Sequence, residues 1–183
     1  HVLANLNLAK EGDDIHQPGP ADGGTSVGRI ASLKRWVPID LNGKTPNLVD
    51  AAIASLSSGI TWSPEICSIG RVAGTAKGVE GMIVCKHGRT TGYTEGEVTD
   101  ESYDAVVGMD HSNSSILGLF QNQMRIERTS PYAQFGNGGD SGSLVVNKNK
   151  AAVGLYFAGP SNGQYGVANQ FDDVARLLEI QLL

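Results

Sequence analysis

From residue 66 onward, short apolar runs alternate with glycine turns: ICSIG, GMIVC, GEVTD, DAVVG, SILGLF, QMRIERT, GSLVV, AAVGLYFAG and YGVAN. Many short strands at close spacing predict a sandwich or barrel. The last stretch, FDDVARLLEIQLL at 171–183, breaks the pattern. Phe171, Val174, Leu177 and Leu178 follow i, i+3, i+6, i+7 spacing and predict a terminal helix. Asp172 and Asp173 fall where they favour its positive N-terminal end. Upstream, GRIASLKRWVPID at 28–40 reads as one or two strands, and residues 11–27 read as a loop crowded with Gly, Pro, Asp and Ser. NGKTPN at 42–47 reads as a turn. LVDAAIASL at 48–56 suits a helix by propensity or a strand by burial, and is too short for periodicity to decide.

Composition narrows the class. The 183 residues include 24 glycines, about twice the usual share, which fits many turns and short strands. The net charge of −5 disfavours a nucleic-acid binder, whose phosphate contacts need a basic face. No apolar run approaches the ~18 residues of a membrane span. Cys67 and Cys85 could form one bridge or stand as two buried free thiols. His1, His16, His87 and His111 show no metal-ligand spacing, so neither a metal nor another cofactor is expected.

The strongest chemical signal is GNGGDSGSLVV at 136–146. Ser141 sits between an aspartate and a glycine, directly before a β-branched strand. Glycines at 138, 139 and 142 permit a tight backbone that can aim consecutive N–H groups at one point, as an oxyanion needs. The string is not the G-x-S-x-G elbow of α/β-hydrolases, which disfavours an esterase of that class.

GGDSGS resembles the nucleophile motif of chymotrypsin-fold serine proteases. KHGRTTGYTEGEV at 86–98 is similar to a strand-turn-strand of the bacterial alpha-lytic and streptogrisin type. AAVGLYFAG at 151–159 resembles the strand lining the primary specificity pocket, and HVLAN at 1–5 resembles the segment carrying the general base. QPGPADGG at 17–24 and the NxVDAAIA segment at 47–54 are similar to stretches of bacterial trypsin-like proteins. The resemblance implies an all-β fold of two six-stranded antiparallel Greek-key barrels with a short C-terminal helix. Residues 1–65 would be the remainder of the N-terminal lobe and residues 66–183 the C-terminal lobe.

Carried over residue by residue, the resemblance makes Ser141 the nucleophile and His1 the general base. Asp50 would be the third member, a buried carboxylate needing an imidazole N–H; a turn cap is its bland alternative, and Asp40 its rival. The N–H groups of Gly139 and Ser141 would form the oxyanion hole. Asp140, beside the nucleophile, wants a cation once buried. Relatives supply a new N-terminal ammonium or an arginine from a GRTTG-type turn, so an Arg89–Asp140 ion pair is expected. Phe135 matches the base of the specificity pocket, with Ala158 and Gly159 as open walls. Since residue 135 is not an aspartate, a small or apolar side chain before the scissile bond is expected of a polypeptide substrate.

In such a fold, two or three strands precede the histidine, whereas this sequence starts at it. The expectation is an incomplete first barrel, whether by processing, truncation or a genuinely shortened and inactive relative. Its open edge would pair with another copy or a separate N-terminal piece, and low activity is expected of this chain alone. Few cysteines and no basic-then-apolar leader fit a bacterial cytoplasm. A catalytically silent module for binding or scaffolding is the competing reading.

Overall fold

The computed structural model describes residues 1–110 and 112–182, so His111 lies outside the described residues. Strands β1 (Asp14–His16), β2 (Arg29–Trp36), β3 (Asn42–Asn47) and β4 (Ala52–Leu56) come first. The two-residue β5 (Glu65–Ile66) and β6 (Gly70–Arg71) follow, then β7 (Ile83–Gly88), β8 (Gly92–Gly108) and β9 (Leu117–Arg128). β10 (Leu144–Asn147), β11 (Ala152–Ala158), β12 (Tyr165–Gln170) and the helix α1 (Phe171–Leu178) complete the chain.

Six strands close a ring in the order β7–β8–β9–β12–β11–β10, with β10 pairing back onto β7. Period-two alternation fills it. On β7, Val84, Lys86 and Gly88 are buried while Ile83, Cys85 and His87 are half-buried. Val84, Val98, Met124, Ile126, Phe135 and Val145 are among the residues that pack the barrel core. Among residues 1–65, β1, β2 and β4 form an open three-stranded antiparallel sheet. The all-β class with one short terminal helix is as the sequence predicts.

Three local readings are corrected or decided. NGKTPN is both turn and strand. Asn42 Oδ1 accepts the N–H groups of Lys44 and Thr45, and the segment still runs parallel to β9, pairing Asn42 with Leu117 and Asn47 with Phe120. The ambiguous 48–56 stretch is a strand at Ala52–Leu56, because β2 offers it a ladder from Ala31–Leu56 to Trp36–Ala52. The terminal helix ends at Leu178 rather than running on. Glu179 turns left-handed at φ 51 and donates its N–H to the carbonyls of Ala175 and Arg176, a cap that terminates the helix.

The helix matters to the site. Its buried Val174 and Leu178 pack on Val49 and Ala51, the two neighbours of Asp50. A separate cluster packs Ile39 with Phe120 and Phe157, whose ring centroids lie 4.7 Å apart with the rings tilted by 51°. Helix packing therefore encloses the irregular 48–51 stretch between β3 and β4.

Candidate active site

The loop before β10 is held at several points. Asp140 N–H donates to the Asn137 carbonyl (3.0 Å), Ser143 N–H to the Asp140 carbonyl (3.0 Å) and Gly142 N–H to the Tyr156 carbonyl (2.8 Å). Gly139 and Gly142 take φ of 96° and 91°, which strongly favours glycine there. Among the described residues, neither the Gly139 nor the Ser141 N–H donates a hydrogen bond. Both donors are thus unspent on a loop tied down on either side. The Ser141 hydroxyl donates to the Phe157 carbonyl at 3.1 Å.

His1 and Asp50 meet across the chain. The His1 Nδ1 contacts Asp50 Oδ2, and the His1 backbone nitrogen contacts Oδ1. Asp50 is only 5% exposed, and its own N–H donates to Asn169 Oδ1 at 3.1 Å. Burial pushes the Asp50 carboxyl up. His1 and Ser141 line the same two adjoining hollows. One, of about 310 Å³, also touches Leu3, Asp50, Gly142 and Leu155. The other, of about 270 Å³, is walled by Val107, Met109, Tyr156, Ala158, Gly159 and Ser161. No hydrogen bond joins Ser141 to His1 among the described residues.

Two placements differ from the sequence expectation. The cation at Asp140 is Lys86, not Arg89. Lys86 Nζ lies 3.2 Å from Asp140 Oδ2, and neither side chain is exposed. The physical reason is phase: Lys86 shares the inward face of β7 with Val84, whereas Arg89 follows the strand end and is exposed. Arg89 instead pairs with Asp22, its Nε donating at 3.1 Å. Asp140 accepts four further hydrogen bonds, from Thr90 N–H, Thr91 N–H, Thr91 Oγ1 and Asn137 N–H. Burial works against its charge, but these bonds outweigh burial and hold the carboxyl below its usual value. Lys86 also donates to Thr91 Oγ1 and sits over the rings of Phe135 and Tyr156 at 5.6 and 5.7 Å.

Phe135 is the second departure. It is fully buried in the barrel core, edge-on to Tyr156 at 6.1 Å, and is not part of the cleft wall. Tyr156 and Met109 line the cleft. Ala158 and Gly159 do line it. Sequence reasoning did not single out Lys86, Met109, Tyr156 or Asn169, which the structure places at these positions. For Lys86, the alternation Val84–Lys86–Gly88 was the available signal. Cys67 is exposed and Cys85 half-buried, both as free thiols. Among the described residues, no group of His, Cys, Asp and Glu could hold a metal ion, and no helix is long and apolar enough to cross a membrane.

Residues 136–170 match the family model of Peptidase S7, flavivirus NS3 serine protease. No curated protein sequence matches the chain. Solved structures do. A Nocardiopsis protease superimposes with a TM-score of 0.65 at 17% identity, over 96% of this chain and 81% of that one. A Cellulomonas bogoriensis chymotrypsin gives 0.62 at 20% identity, over 88% and 79%. A glutamic-acid-specific serine protease gives 0.65 at 16% identity, over 88% and 76%. At such identities these likenesses show the fold, which is that of bacterial chymotrypsin-like serine proteases.

Proposed function

We propose that the chain is a serine endopeptidase that cleaves peptide bonds through an acyl-enzyme on Ser141. The observation that carries this reading is the Asp50 carboxylate on His1 Nδ1, with His1 and Ser141 on one cleft. In this mechanism Asp50 fixes the imidazole tautomer, leaving the far ring nitrogen to take the Ser141 proton as the hydroxyl attacks. The Gly139 and Ser141 N–H groups receive the developing oxyanion, each worth on the order of 10²–10³ in rate. His1 returns the proton to the leaving amine, and water then releases the acyl group.

Among the described residues, the lining of the 270 Å³ hollow includes no Asp, Glu, Lys or Arg, which supports a small or apolar residue before the scissile bond. Residues 1–65 and 66–183 act as two lobes, with the cleft drawing His1 and Asp50 from one and Ser141 from the other. The outer edges of β1 and β4 would receive a second copy in self-association, which size-exclusion chromatography reads.

One observation favours a second reading, a catalytically silent binding module: the Ser141 hydroxyl points to the Phe157 carbonyl rather than to His1. Catalytic hydrogen bonds often tighten only when substrate is bound, so the enzyme remains the better reading. Hydrolysis of peptide anilides with Ala, Leu or Lys at the cleavage site separates the two. The enzyme cleaves the Ala or Leu substrate, and Ser141→Ala and Asp50→Asn each suppress it. A silent module cleaves none.

A further inference from the structure

Asp50 lies in an irregular stretch, so no ladder fixes its backbone. Two side chains of the barrel do so instead. Asn169 on β12 and Gln123 on β9 are direct cross-strand partners, and both are fully buried. Asn169 Oδ1 accepts the Asp50 N–H at 3.1 Å, and Asn169 Nδ2 donates to Gln123 Oε1 at 2.7 Å. Gln123 Nε2 then donates to the Leu48 carbonyl at 2.9 Å and also to the Gln121 carbonyl. The pair therefore grips the chain at residue 48 and at residue 50, on both sides of buried Val49.

Buried amides are costly unless satisfied, and an apolar pair would fill the same space without polar groups to satisfy. What apolar side chains cannot do is fix the height and register of the 48–50 backbone. Packing of Val49 and Ala51 on α1 is non-directional, whereas these hydrogen bonds are directional. The carboxylate of Asp50 leaves a backbone held this way and reaches His1.

We propose that Asn169 and Gln123 are positioning residues, a buried amide clamp that sets Asp50 against His1. The proposal rests on the triad reading above. Neither residue touches the cleft, so its effect should pass through Asp50 alone, falling on turnover and not on substrate binding.

The test compares wild type with Asn169→Ala, the volume-matched Gln123→Met and a control, Gln170→Met. Gln170 neighbours Asn169 on β12, but its amide donates to the Glu101 carbonyl and, among the described residues, makes no hydrogen bond to residues 48–50. Steady-state hydrolysis of an apolar peptide anilide is measured on variants whose near-ultraviolet circular dichroism is native. The expected result is a kcat loss on the order of 10²-fold in the two clamp variants, as for a misplacement near 1 Å, with KM unchanged. Gln170→Met keeps the wild-type kcat even where its melting temperature falls. If Asn169→Ala does not fold, Gln123→Met carries the test. Wild-type kcat in the folded clamp variants, or an equal loss in Gln170→Met, overturns the clamp and leaves the triad standing. A wild-type chain no more active than Ser141→Ala overturns both.

Discussion

The Lys86 ammonium lies 3.2 Å from the Asp140 carboxylate, and both side chains are wholly shut off from solvent. This pair ties the inward face of β7 to the residue beside Ser141. Asp140 stands between Gly139 and Ser141, whose N–H groups donate no hydrogen bond among the described residues. Removing one partner strands the other in a medium that penalises lone charges.

Lys86→Met is therefore expected to destabilise the chain by about 3 kcal/mol, the lower end for a broken buried pair, since Asp140 keeps four other donors. Urea denaturation measures this. The double variant Lys86→Met, Asp140→Asn should recover part of the loss, a coupling that a double-mutant cycle isolates. Fully additive losses would mean that the pair is not coupled.

Arg89→Ala, by contrast, removes an exposed contact with Asp22 and is expected to cost less than about 1 kcal/mol. Hydrolysis of an apolar substrate should be unchanged. A loss as large as that of Lys86→Met would reassign the role to Arg89.

The pH dependence follows from Asp140. Its folded carboxyl titrates below its ordinary value, so the unfolded chain binds the proton more readily. The stabilisation is fully present above the unfolded carboxylate range and is lost as pH falls through the lower folded value. Denaturant midpoints should therefore drop on acidification below the usual aspartate range, and Asp140→Asn should flatten that drop. An unchanged acid limb in Asp140→Asn contradicts the assignment.

Gly139→Ala tests the loop geometry. At φ 96° an added Cβ would lie 2.4 Å from Thr90 Oγ1, whose hydroxyl is bonded to the Gly138 carbonyl. The substitution is strained in its backbone and crowded in its space, at a cost of at least about 1 kcal/mol. Peptide hydrolysis should fall by more than stability alone explains, because the shifted N–H is an oxyanion donor. Unchanged hydrolysis would remove Gly139 from that role.

Much of this fold is legible in the sequence, because period-two runs and glycine turns mark strands without reference to partners. The motif around Ser141 is legible for the same reason, since positive φ and unspent N–H groups are local properties written in glycine. The fate of residues 42–56 is not local. Asn42–Asn47 becomes a strand because β9 runs beside it, and Ala52–Leu56 because β2 does. The ion pair is misread for a subtler reason. A turn arginine is the obvious partner for Asp140, and only the inward phase of β7 reveals that a lysine three residues earlier is the buried cation. Phe135 fails similarly: its distance from Ser141 in sequence is matched, but barrel packing turns its ring into the core. Asn169 and Gln123 carry no sequence motif at all, since their meaning depends on strands that pair only when the barrel closes.

The most direct test of the central claim is labelling with a fluorophosphonate, read by intact mass and peptide mapping, on the chain and on Ser141→Ala. An activated serine forms a covalent phosphonyl adduct where an ordinary hydroxyl does not. The predicted result is a single adduct on Ser141, absent from Ser141→Ala and much slower to form in Asp50→Asn. No adduct on the folded chain, or an adduct that persists in Ser141→Ala, contradicts the proposed nucleophile.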